Sequence, residues 1–86
     1  MLLVSDDFAE QARQVFINLK AVAEAAGLTM SHLVKLTVYL TDIGKTPVVN
    51  EIMSEIFEMP YPARTTIQVV ALPKEAQIEV DAIGIK

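Results

Sequence analysis

Val34-Lys35-Leu36-Thr37-Val38-Tyr39-Leu40 is the stretch from which the fold of this 86-residue chain can be read outward. Apolar and polar side chains alternate along it. Val34, Leu36, Val38 and Leu40 are therefore expected on one face, and Lys35, Thr37 and Tyr39 on the other. That is a strand with one face on a core and a more polar face left over. Upstream, the period becomes helical, with Phe8, Ala12, Val15, Phe16, Leu19, Val22, Ala23 and Ala26 forming one broad apolar stripe. Asp7 is placed to cap this helix, with Glu10 as the reciprocal partner of a capping box. Gly27 supplies the left-handed residue that ends it, and Leu28 the accompanying apolar contact.

Downstream, Thr46 and Pro47 read as the N-cap and first residue of a second helix, whose buried stripe is Val49, Ile52, Met53 and Ile56. Pro60 ends it. Tyr61-Pro62-Ala63-Arg64-Thr65-Thr66-Ile67-Gln68-Val69-Val70 then reads as a stiff approach into a strand expected to run to about Leu72. Pro73-Lys74-Glu75-Ala76 makes a tight connection. The last strand, Gln77 to Ile83, turns Ile78, Val80 and Ala82 inward and Gln77, Glu79 and Asp81 outward. The order α-β-α-β-β predicts an α+β fold, two helices packed on one face of a small mixed sheet. The strand-helix-strand unit from Val34 to Val70 is expected to place its two strands parallel with a right-handed crossover. The sheet face left uncovered is expected to carry Thr37, Tyr39, Thr66, Gln68, Glu79 and Asp81.

Residues 1–86 are expected to form a single domain, which at this size buries only about 60–65% of its unfolded surface. Yet 52% of the residues are hydrophobic, and mean hydropathy is +0.40. Surplus apolar surface on so small a domain predicts self-association. No apolar run approaches the roughly 20 residues that cross a bilayer, and Met1-Leu2-Leu3-Val4 is too short for a signal peptide. A cytoplasmic protein is expected, with no membrane partner. The absence of cysteine removes disulfides and thiolate chemistry. A net charge of -4 opposes binding to a phosphate backbone, so no nucleic-acid partner is expected. A lone histidine, His32, without carboxylates at ligand spacing argues against a metal site.

Arg64 stands where the stiff approach becomes a strand. A guanidinium on such a mount can grip a planar carboxylate through two parallel bonds, or it can simply solvate a strand end. The stretch alone leaves both open. His32 reads as an exposed linker residue rather than a base. Asn50 lies beside the apolar stripe of its helix, where the amide is expected to bind a neighbouring loop's backbone rather than a ligand. Read alone, Glu79 is an outward strand carboxylate on a solvated face.

Several runs carry a resemblance: Glu10-Gln11-Ala12-Arg13-Gln14-Val15, Asn18-Leu19-Lys20-Ala21-Val22, Ala25-Ala26-Gly27, Val34 to Leu40, Val49-Asn50-Glu51, Pro62-Ala63-Arg64, and Ile78-Glu79-Val80-Asp81-Ala82. In order and over nearly the whole chain, they resemble the reactive-intermediate deaminase family (RidA or YjgF). The resemblance implies a chorismate-mutase-like fold, homotrimers with clefts between subunits, and hydrolysis of 2-imino acids to 2-oxo acids and ammonia without metal or organic cofactor. It implies Arg64 as the carboxylate clamp, Glu79 as the group that positions or activates water, and the Thr66 backbone as a further substrate contact. The family often has cysteine at the position of Thr66, a change that a main-chain contact survives. Asn50 matches a frequently retained helix position and is a further binding candidate.

Members are longer at the N-terminus, where strands carry Pro-Tyr-Ser-Gln-like and Ser-Gly-Gln-like motifs that are missing here. Leu2-Leu3-Val4-Ser5 is expected to be the stub of that region. A catalytically impaired small-carboxylate-binding or structural homo-oligomer is the alternative that follows. A ribonuclease, a name attached to some relatives, is opposed by the acidic balance and the lone His32. If the last two strands were antiparallel neighbours, Glu79 would lie level with Val70, close to 20 Å from Arg64 along the sheet. The two residues are therefore expected to meet only across a subunit boundary.

Overall fold

Asp7 opens the first helix by accepting the Glu10 backbone N–H on Oδ1 at 3.0 Å, the Asp7 half of the expected capping box. In the computed structural model, which describes residues 7–85, this helix is α1 (Phe8–Ala25). It ends as its glycine predicts. Gly27 adopts φ 79°, its N–H donates to the Glu24 carbonyl, and the Leu28 N–H donates to the Ala23 carbonyl at 2.9 Å. Those are the two bonds of a Schellman end. The strands and the second α-helix are β1 (Leu33–Leu40), α2 (Thr46–Ile56), β2 (Ala63–Gln68) and β3 (Ile78–Gly84), with short 3₁₀ turns between some of them. The Leu2–Ser5 stub lies outside the described residues. No helix among those described is long and apolar enough to cross a membrane.

The three strands stand in the order β2-β1-β3, with β1 parallel to β2 and antiparallel to β3. The sheet is therefore mixed, and β1 is its centre. Leu36, Val38, Leu40 and Ile78 on one face bury against Ala12, Val15 and Phe16 of α1 and Val49, Ile52 and Met53 of α2. Phe16 meets Phe57 edge-on, with ring centroids 6.2 Å apart. Gln11 is the buried polar exception in α1. Its Oε1 accepts the Gln77 backbone N–H at 2.9 Å, tying the helix to the entry of β3.

Several expectations are corrected in detail. Val34 is 43% exposed, because a register shift between Leu33 and Lys35 hands the inward position to Leu33. Val22 of α1 is 67% exposed. Thr46 is already helical, at φ -51° and ψ -42°, with its hydroxyl donating to the Ile43 carbonyl at 2.6 Å. The second helix therefore grows out of a preceding 3₁₀ turn rather than from a threonine cap. β2 stops at Gln68 instead of reaching Leu72. Thr66 and Gln68 also change sides. They pair with Val38 and Leu40, and paired residues share a face, so both lie on the helix-covered side. The face that no described element covers carries Lys35, Thr37 and Tyr39 of β1 with Thr65, Ile67, Glu79 and Asp81.

Candidate functional site

Pro60 and Pro62 restrict the backbone just ahead of β2, and Arg64 is the second residue of that strand. It pairs with fully buried Leu36, so its side chain leaves on the helix-covered side. There its Nη1 donates to the Met53 Sδ on α2 at 3.3 Å. A thioether is a weak acceptor, and the one ion pair among the described residues joins Arg13 to Glu55, not to Arg64. Among the described residues most of the guanidinium fork is uncommitted.

The main chain of β2 adds a second feature. The Val69 N–H donates to the Leu40 carbonyl at 2.8 Å, so the backbone groups of Val69, and by alternation Ile67 and Thr65, face β1. Those of Arg64, Thr66 and Gln68 face the other way. Because β2 is an edge of the described sheet, they pair with no described strand. The Thr66 N–H and C=O are thus presented beside the root of Arg64. The Gln68 side chain is occupied, its Oε1 accepting the Ile43 N–H at 2.9 Å.

Asn50 precedes Met53 by three residues and shares its side of α2. The helix runs back against β2, so Asn50 lies one turn further toward the level of Thr66. It is exposed, and its amide makes no hydrogen bond to another described residue. The expected contact to a neighbouring loop's backbone is therefore not made among the described residues. His32 is half-buried rather than exposed, and its Nδ1 accepts the Thr29 N–H at 2.9 Å, a local capping role. Among the described residues no group of three or more metal-ligating side chains is placed to hold an ion.

Glu79 pairs with Tyr39, which puts it on the uncovered face, with Asp81 two residues on. Partial burial raises the Tyr39 phenol above its ordinary pKa. Asp81 adds to this through its charge and as hydrogen-bond acceptor, and Glu79 adds less. Arg64 and Glu79 therefore stand on opposite faces of one sheet. β2 and β3 are not neighbours, so the expected 20 Å offset is replaced by three residue levels, from Leu36 to Tyr39, with β1 between. That is ~10 Å along the strands and ~9.5 Å across them. A groove of about 480 Å³ between α1 and β3 includes Glu79, and one of about 680 Å³ between α1 and the end of α2 does not. Arg64 lines neither. The contact that sequence reading missed is Met53, which helical spacing marks only as a core residue.

A profile described as Endoribonuclease L-PSP matches residues 1–86. The chain is 40% identical over 81 residues to a 2-iminobutanoate/2-iminopropanoate deaminase of Dermatophagoides farinae, covering 94% of this chain and 63% of the relative. It is 43% identical over 84 residues to the human protein of the same name, covering 98% and 61%. Among solved structures, that of E. coli TdcF with bound serine superposes with a TM-score of 0.91 at 34% identity, over 98% of this chain and 68% of that one. This chain thus spans a little under two thirds of the length of the two deaminases. With its whole sequence matched by the profile and with these identities, the chain belongs to the Endoribonuclease L-PSP family, that of the RidA/YjgF proteins.

Proposed function

We propose that the protein hydrolyses 2-imino acids, or their enamine tautomers, to 2-oxo acids and ammonia in clefts between the subunits of a homotrimer. The observation that carries this reading is Arg64, a guanidinium held by one weak contact beside the outward-facing main chain of Thr66. A carboxylate next to an sp² carbon fits that pair, its oxygens on the guanidinium and its imine or oxo group toward the strand edge. The names of the mite and human relatives support the reaction, and the serine in the TdcF structure supports a small carboxylate-bearing ligand.

A protonated imine is already electrophilic, so the chemistry needs a fixed carbon, a poised water and an exit for ammonia. Arg64 fixes the carboxylate and with it the imine carbon, a proximity effect worth several kcal/mol. Glu79 of a second copy accepts a proton from water as the C–O bond forms, contributing roughly 10²- to 10⁴-fold. Returning that proton to nitrogen lets the C–N bond break. Ammonia leaves, and loss of the hydroxyl proton completes the 2-oxo acid. Asn50 stands as a further binding candidate on α2.

The second reading is a small-carboxylate-binding or structural homo-oligomer without turnover. The opposite-face placement of Arg64 and Glu79 within one copy favours it. Ammonia release from freshly generated 2-iminobutanoate separates the two. The deaminase reading predicts release well above the buffer rate, and binding of 2-oxobutanoate with no acceleration would leave the second.

A further inference from the structure

We infer that Met53 is a positioning residue for the Arg64 clamp, an inference that rests on the carboxylate-binding reading of Arg64. An arginine at an exposed strand edge has to surrender rotamer freedom when it grips a ligand. One guanidinium donor is already held here. Met53 is 7% exposed and sits in the α2 stripe with Val49 and Ile52, so its sulfur is a fixed point rather than a mobile one.

The chemical type of the anchor matters as much as its place. A carboxylate there would neutralise the guanidinium and occupy the fork that a substrate needs. A leucine would fill the space but accept nothing. The thioether accepts one Nη1 hydrogen without adding charge, leaving Nε and Nη2 to meet a carboxylate in parallel. The α2 helix thereby sets the angle of a side chain that belongs to β2, a neighbouring element of the strand-helix-strand unit.

The test is a coupling experiment on the full chain, with 2-oxobutanoate as probe and calorimetry as readout. Met53→Leu conserves volume, so the fold should persist and the melting temperature should change little. Its Kd should rise about three- to tenfold, the range expected for one lost hydrogen bond. Met53→Gln, which restores an acceptor, should bind within about twofold of wild type. In the Arg64→Lys background Met53→Leu should have no further effect, because residues acting on one interaction are not additive. Equal losses in both backgrounds would make Met53 a packing residue only. An unchanged Kd for Met53→Leu, while Arg64→Lys weakens binding, would also overturn the inference. If Arg64→Lys itself leaves the Kd unchanged, the clamp reading fails, and the positioning role fails with it.

Discussion

Arg64 and Glu79 project from opposite faces of the same three-stranded sheet. Arg64 shares its level and its face with buried Leu36, and Glu79 shares its level and its face with Tyr39 on the uncovered side. A strand's pleat allows nothing else, since successive side chains alternate. β1 also lies between them. Two groups so placed cannot close on one small substrate within a single copy. A shared site therefore requires a second copy, and the proposed function makes the assembly part of the chemistry.

The first expectation concerns that assembly. The uncovered face carries half-buried Thr37 and Tyr39 beside exposed Ile67. A domain this small gains by covering such a face with another copy. Light scattering at micromolar concentration should report three times the 9.4 kDa chain mass. A single 9.4 kDa species would end the trimer account.

The clamp itself is open to a direct substitution. Arg64→Lys keeps the charge but loses the planar fork. Binding of 2-oxobutanoate should weaken by about tenfold, as expected when a bidentate charged pair becomes a point contact. A calorimetric Kd equal to that of wild type would return Arg64 to solvating a strand end.

Gln11 provides a stability test away from the candidate site. Its buried side chain accepts the Gln77 N–H. Gln11→Leu keeps the bulk but leaves that amide without this acceptor. Urea unfolding should show a loss of about 1–3 kcal/mol. An unchanged midpoint would mean that the tie between α1 and β3 adds nothing.

The sequence carries the architecture because its signals are local. Asp7, Gly27 and Pro60 mark helix ends through backbone chemistry, and the alternation in Leu36–Leu40 identifies a strand with one buried face. Sheet register is not local. Counting along β2 alone cannot say which parity faces the helices; pairing with Val38 and Leu40 decides it and puts Thr66 and Gln68 on the helix-covered side, opposite to the sequence expectation. Strand order is equally hidden. Placing β1 between β2 and β3 changes the Arg64–Glu79 separation from a distance along one strand pair to a difference of faces. Arg64 stands out as a charged residue at a stiffened strand start, but nothing in the composition of α2 marks Met53 as its partner.

Tyr39 offers a reporter for the uncovered face. Partial burial, then Asp81 and Glu79, hold its phenol in the neutral form beyond the ordinary range. Because the folded protein keeps this proton more tightly than the unfolded chain, the associated stability is complete below the ordinary tyrosine pKa of about 10. It is lost as pH rises through the raised value. Asp81→Asn should move the Tyr39 phenolate step to lower pH in an ultraviolet titration, with Tyr39→Phe assigning the step. A step that stays in place would show that Asp81 does not act on the phenol.

The central claim is that each cleft takes Arg64 from one copy and Glu79 from another. Arg64→Ala and Glu79→Gln should each abolish ammonia release from 2-iminobutanoate. After the two variants are mixed, dissociated and reassociated, random trimers should place both intact residues in about a quarter of their clefts and recover about that share of wild-type activity. Recovery to that level is the predicted result. Verified mixed trimers that stay inactive, beside an active wild type, would contradict the shared cleft.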